Sequence, residues 1–205
     1  MSTSPTTGAG SVAGINNFSG MDLETALMAV QSERANQLET QLKGQLDAVQ
    51  ARNTNIAKLN NVLSALNSVD AKFPADAKPT DQLGSIKGWK DNDYAVAREY
   101  EATVNSAIAD AKLDSVFKDN GSKGQISLNP REWGFVGGLN SERTKADISA
   151  AIGSIKSLID AQGNSQQMDM LRLQSLSNKR NEAFDIMTNF VKKMQDSRSS
   201  ILQKM

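Results

Sequence analysis

The sequence predicts a mainly α-helical fold: a long antiparallel coiled coil of N- and C-terminal helices carrying a small, irregular, partly helical insertion. Two long stripes of apolar residues and a punctuated middle point to it. From Leu173 to Met205, Leu173, Leu176, Ala183, Met187, Phe190, Met194 and Ile201 return every three or four positions, with Arg180 and Ser197 in the polar slots of the same register. Such a heptad stripe is suited to another helix. From Met21 to Val69 there is no proline, and Leu38, Leu42, Leu46, Val49, Ile56, Leu63 and Leu66 again step by threes and fours. Three of the four prolines, Pro74, Pro79 and Pro130, fall between the two stripes, so the breaks in helix are confined to the middle.

Residues 1–20 are rich in Ser, Thr and Gly and cannot bury enough apolar surface to offset their ordering entropy, so they are expected to be disordered. They also lack the basic and apolar regions of a cleavable signal peptide. Order is expected from Ser19, where Ser19-Gly20-Met21-Asp22 has capping-box spacing with Asp in place of Glu. The first helix then runs over residues 21–69; about 49 residues at 1.5 Å each give a rod of roughly 70 Å. Asn53 and Asn60 interrupt its stripe, either fixing register as polar seam residues or facing solvent where the helix curves.

The insertion spans residues 70–164. Pro74, Pro79, Gly84 and Gly88 mark a crossing segment, and a modest helix follows between Asn92 and Lys112, with Tyr94, Ala97, Val104, Ile108 and Ala111 near one face. Glycines then crowd residues 119–138, where the short runs 125–128 and 133–136 can pair as a small hairpin. Ser141 has the character of a cap for a further helix reaching Ala161, with Ile148, Ile152, Ile155 and Ile159 on one face. Gly163 is expected to end that helix, and Asn164-Ser165 to start the last one, over 165–205. The chain thus divides into residues 1–20 and a single coiled-coil domain over 21–205.

Composition removes whole classes of chemistry. The chain has no cysteine and no histidine, which excludes thiolate catalysis, disulfides, thiolate metal sites and the commonest general base. Lys and Arg number 23, balanced by 23 Asp and Glu, so no charged footprint for nucleic acid or anionic lipid is expected. No run of about 18 apolar residues is present, and direct membrane insertion is not expected. Gly121-Ser122-Lys123-Gly124 lacks Walker spacing and is expected to be a surface turn, and Asp91-Asn92-Asp93 lacks the glycine and glutamate of a calcium loop and is expected to start a helix. Trp89 and Trp133 each suit either a buried plug or a binding anchor. Neither an enzyme nor a cofactor is predicted.

The run Asn181-Glu182-Ala183-Phe184-Asp185-Ile186-Met187-Thr188-Asn189-Phe190-Val191-Lys192-Lys193, followed by Ile201-Leu202, resembles the terminal helix of type III secretion needle-tip proteins of the V-antigen kind. Asn181, Ala183, Phe190 and Lys193 match that helix, with Phe184, Met187 and Val191 as conservative replacements. The opening Met21-Asp22-Leu23-Glu24-Thr25-Ala26-Leu27-Met28 is similar to the filament-forming tip proteins of the Bordetella type. The resemblance covers the two long helices, about half the chain, and none of the insertion. It implies a secreted, non-enzymatic virulence protein, exported without signal-peptide cleavage, that caps the needle or polymerises as EspA-type proteins do. Implied partners are further copies of the chain, the needle subunit, translocon pore proteins and an export chaperone. The expected coiled-coil and assembly residues are Leu38, Leu42, Leu46, Val49, Ile56, Leu63, Leu173, Leu176, Phe184, Met187, Phe190, Val191, Met194 and Ile201. The competing expectation is a cytoplasmic coiled-coil adaptor or export chaperone that binds a helical partner through the same stripe.

Overall fold

A computed structural model describes residues 23–113, 116–117 and 137–203. Three helices carry the fold: α1 (Leu23–Asp70), α2 (Asp91–Asp110) and α3 (Lys145–Leu202), with a 3-10 turn at Leu83–Ser85. Among the described residues there is no β-strand, only an isolated antiparallel bridge between Gln82 and Thr144. The expected fold class is observed, with α1 and α3 packed against each other as a helical hairpin. Their directions are opposed, because α3 starts beside the chain that follows α1, whereas Arg52, further back along α1, meets Asp169, further on along α3. The predicted capping box at Ser19, the segment 1–20, the hairpin over 125–136, the turn at 121–124 and Trp133 lie outside the described residues.

Two sequence expectations are corrected in α3. Gly163 does not end a helix: α3 is continuous from Lys145 to Leu202, so the separate helices expected over 141–161 and 165–205 are one. A helix-interior glycine costs only about 1 kcal/mol relative to alanine, too little to break a helix whose buried stripe continues on both sides. The start is also four residues later than Ser141. Thr144 is the cap, its Oγ accepting from the Asp147 N–H at 3.2 Å while the Asp147 carboxylate accepts from the Thr144 N–H at 2.9 Å, a reciprocal capping box. The next two unpaired amides are met by main chain: Lys145 N–H donates to the Asp81 carbonyl and Ala146 N–H to the Pro79 carbonyl, both at 2.9 Å. Ile148 N–H returns to the Thr144 carbonyl, so no amide of the first turn is orphaned.

The described chain forms two compact units. The first is Gln45–Arg172, in which the latter part of α1, all of α2 and the first part of α3 surround one core. Leu59, Val62, Leu66 and Val69 from α1 meet Ala97, Val104 and Ile108 from α2 and Ile148, Ala151 and Ile155 from α3. Leu83, Trp89 and Leu139 close it from the connecting segments. Trp89 is a plug rather than a binding anchor: it is buried, its indole N–H donates to Ser141 Oγ at 3.2 Å, and it stacks on Tyr100 at 5.5 Å. Asn105, also buried, uses both ends of its amide on one residue, accepting from Leu139 N–H at 2.8 Å and donating to Leu139 C=O at 3.3 Å.

The crossing segment is held to the start of α3 by further main-chain bonds, Leu83 N–H to the Arg143 carbonyl at 2.9 Å and Gly84 N–H to the Ser141 carbonyl at 2.7 Å. That approach favours glycine at 84, since a Cβ there would lie 3.0 Å from the Ser141 oxygen and 2.9 Å from the Lys90 side chain. Helix α2 ends in a Schellman motif: Leu113 N–H bonds the Ile108 carbonyl and Lys112 N–H the Ala109 carbonyl. Lys112 occupies the left-handed position, with φ 55, where glycine is the usual residue.

The second unit, Met1–Gly44 with Leu173–Met205, is described over 23–44 and 173–203. Here α1 and α3 have no third helix among the described residues. The buried cluster consists of Ala35, Leu38 and Ala183, with Leu176 packed against it.

Candidate assembly surface

On α3 the terminal stripe has the register that its sequence predicts. Leu173, Leu176, Arg180, Met187, Phe190 and Met194 are half-buried and Ala183 is buried, whereas Ser197 is exposed. The same three-four alternation extends back through Gly163: Ile155, Ile159, Gln162, Gln166 and Asp169 are all buried or half-buried. Three consecutive slots of that extension are polar, and for that reason apolar spacing did not reveal them.

The seam of α1 is Met28, Gln31, Ala35, Leu38, Leu42 in the two-helix unit and Gln45, Val49, Arg52, Ile56, Leu59, Leu63, Leu66 in the three-helix unit, none of them exposed. This corrects the predicted stripe. Leu46 is 58% exposed, and its place belongs to Gln45. Likewise Asn53 and Asn60 are exposed, and the slots beside them are filled by Arg52 and Leu59. The positions shared by both registers, Leu38, Leu42, Val49, Ile56, Leu63 and Leu66, do face inward.

Within the three-helix unit the polar slots of the two helices meet. Arg52 Nε donates to Asp169 Oδ2 at 2.9 Å and its Nη1 to Gln162 Oε1 at 2.8 Å. The Asp169 side chain is 8% exposed and that of Arg52 26%, so the carboxylate depends on the guanidinium for solvation while the guanidinium retains some water. Gln166 Nε2 donates to Asn53 Oδ1 at 2.7 Å, giving exposed Asn53 a cross-helix partner on the rim of the seam. Of the two alternatives for Asn53 the solvent-facing one is observed, and the side chain still ties the helices together.

Exposed apolar side chains occur in both units, Leu27, Val30, Phe184, Ile186 and Leu202 in the two-helix unit and Leu46, Leu158, Met168, Met170 and Leu171 in the three-helix unit, and what sets the two-helix unit apart is the small buried cluster beneath them. Phe184, expected among the packing residues, is 43% exposed, and Val191 is half-buried. The side chain of Ile201 lies outside the described set. Two polar atoms in the seam, Gln31 Oε1 and Arg180 Nε, are buried without a hydrogen-bond partner. A two-stranded coiled coil buries its seam positions but leaves the positions flanking them partly open to solvent.

No family model, curated protein or solved structure matches this chain. Function therefore has to be argued from the chain itself. Among the described residues no group of three or more carboxylates is placed to hold a metal ion. Also among them, no helix is long and apolar enough to cross a membrane.

Proposed function

We propose that this chain is a secreted structural subunit of a bacterial type III secretion apparatus, capping the needle or polymerising into an extracellular filament toward the translocon. The observation that carries the proposal is the apolar rim of the two-helix unit. Leu27, Val30, Phe184, Ile186 and Leu202 remain exposed beside a heptad seam in which the described buried residues are only Ala35, Leu38 and Ala183. Exposed apolar side chains above so small a buried cluster leave apolar surface available to a further helix, and three of them, Phe184, Ile186 and Leu202, belong to the C-terminal run that resembles the terminal helix of tip proteins. Further copies of the same chain are the partner that fits best, because a stripe already complementary to one copy of α1 is complementary to others. Needle subunit, translocon proteins and an export chaperone are the heterologous partners of this proposal.

Deleting residues 1–20 tests the secretion half: the protein is expected to disappear from culture supernatant and remain in cells. Unchanged location on deletion would favour a cytoplasmic adaptor or export chaperone instead. Replacing Phe190 and Met194 by Asp tests the assembly half, with loss of large particles in light scattering and a lower melting temperature expected. Particle size and melting behaviour equal to the parent would refute it.

A further inference from the structure

The two units differ sharply in what holds them. All ten of the largest fully buried side chains, Trp89, Leu66, Leu83 and Ile108 among them, lie in Gln45–Arg172. The pair formed by 23–44 and 173–203 has Ala35, Leu38 and Ala183 as its buried cluster, two of them alanines. Of the buried side-chain atoms without a hydrogen-bond partner among the described residues, Gln31 Oε1 and Arg180 Nε lie in that pair, where each would recover water on opening, and Asp70 Oδ1 lies in the larger unit. Resistance to local opening follows the apolar surface an opening exposes, and most helical stability in a protein comes from packing of the apolar face rather than from the isolated helix.

We infer that the helical pair 23–44/173–203 opens as a cooperative unit of its own while Gln45–Arg172 stays folded. The arms released by opening would present both seams at once. The pair is thus a built-in switch between a state that hides the stripe and one that offers it, and this holds whether or not the chain is secreted.

Hydrogen exchange on the full-length chain in dilute solution, read by mass spectrometry, tests the inference. Amides of 28–44 and 174–198 are expected to show protection at least about a hundredfold lower than those of 59–69, 104–108 and 148–155. Protection within about tenfold across all these segments would overturn it. The variant Ala183→Asp supplies the second arm, since it places a carboxylate in the buried cluster of the small unit. It is expected to strip protection from 28–44 and 174–198 while leaving that of 59–69 and 148–155 within about threefold of the parent. Loss of protection in the latter segments as well would show that the units unfold together, and the inference would fail.

Discussion

Removing the charge of Asp169 or Arg52 should be costly singly and cheap together. In Asp169→Leu, Arg52 loses one charge-assisted bond, worth about 1.5–3 kcal/mol, but keeps Gln162 and its partial access to water. An expected destabilisation of about 1–2 kcal/mol follows. In Arg52→Met the carboxylate is left at 8% exposure without its cation. An orphaned buried charge costs about 3–5 kcal/mol when its partner is deleted; the residual exposure and the freed Gln162 place the expectation at about 3 kcal/mol. The double variant removes both charges and extends the apolar stripe that runs through Val49, Ile56 and Leu59, so its stability should lie within about 1 kcal/mol of the parent. The coupling energy is then about 3–6 kcal/mol. Urea unfolding followed by circular dichroism supplies all four corners of the cycle, taken from the transition that melts Gln45–Arg172. Additive losses, with a coupling below about 0.5 kcal/mol, would show that the pair is solvated well enough to be irrelevant and refute the reasoning.

Three further outcomes are expected, each read as a change in unfolding free energy. Lys112→Gly should stabilise by about 0.5–1 kcal/mol, because Lys112 holds φ 55 in the Schellman turn and glycine adopts that conformation without a Cβ penalty; a loss of stability would mean the lysine side chain holds the turn. Asn105→Ala should cost about 2–4 kcal/mol, since it strands both the N–H and the C=O of buried Leu139; a cost under about 1 kcal/mol would mean that water replaces the amide. Gly163→Ala should stabilise by about 0.5–1 kcal/mol, as a Cβ there meets no atom within 4 Å and the helix gains propensity; a loss would place an unseen partner against that face.

The helical fold was legible because both long helices repeat their apolar residues over many turns, and no local signal competes with such a pattern. Register within α1 was less legible, and the reason is physical. Leu42, Val49, Ile56 and Leu63 belong equally to a stripe completed by Gln45, Arg52 and Leu59 and to one completed by Leu46, Asn53 and Asn60. Choosing by hydrophobicity at 45/46 selects the leucine. The choice at 52/53 needs the facing helix, where Asp169 and Gln162 supply acceptors that favour a guanidinium inside. Gly163 misled for a related reason: its cost is local and small, whereas the packing that overrides it comes from α1. Ser141 had the right chemistry for a cap, but its hydroxyl accepts from Trp89, a pairing of residues 52 positions apart. Thr144 with Asp147 had the same local signature and could have been chosen on the carboxylate three residues later. The exposed rim of Leu27, Val30, Phe184, Ile186 and Leu202 was only half visible, because exposure is a property of what does not pack, and spacing alone does not report it.

The join between the crossing segment and the start of α3 is made mainly by the carbonyls of Pro79, Asp81, Ser141 and Arg143, with Ser141 Oγ accepting from Trp89 and Lys145 Nζ donating to the Ala77 carbonyl beside them. Peptide carbonyls are the same in every residue, so the main-chain bonds of this junction depend less on side-chain identity along 79–81 than on the length of the chain there, with the Asp81 carboxylate, which accepts from the Lys78 N–H, as the exception. A family built on it could change its surface chemistry freely across that segment while tolerating almost no insertion or deletion, and the spacing from Phe73 to Leu83 would outlast the identities of the residues between them.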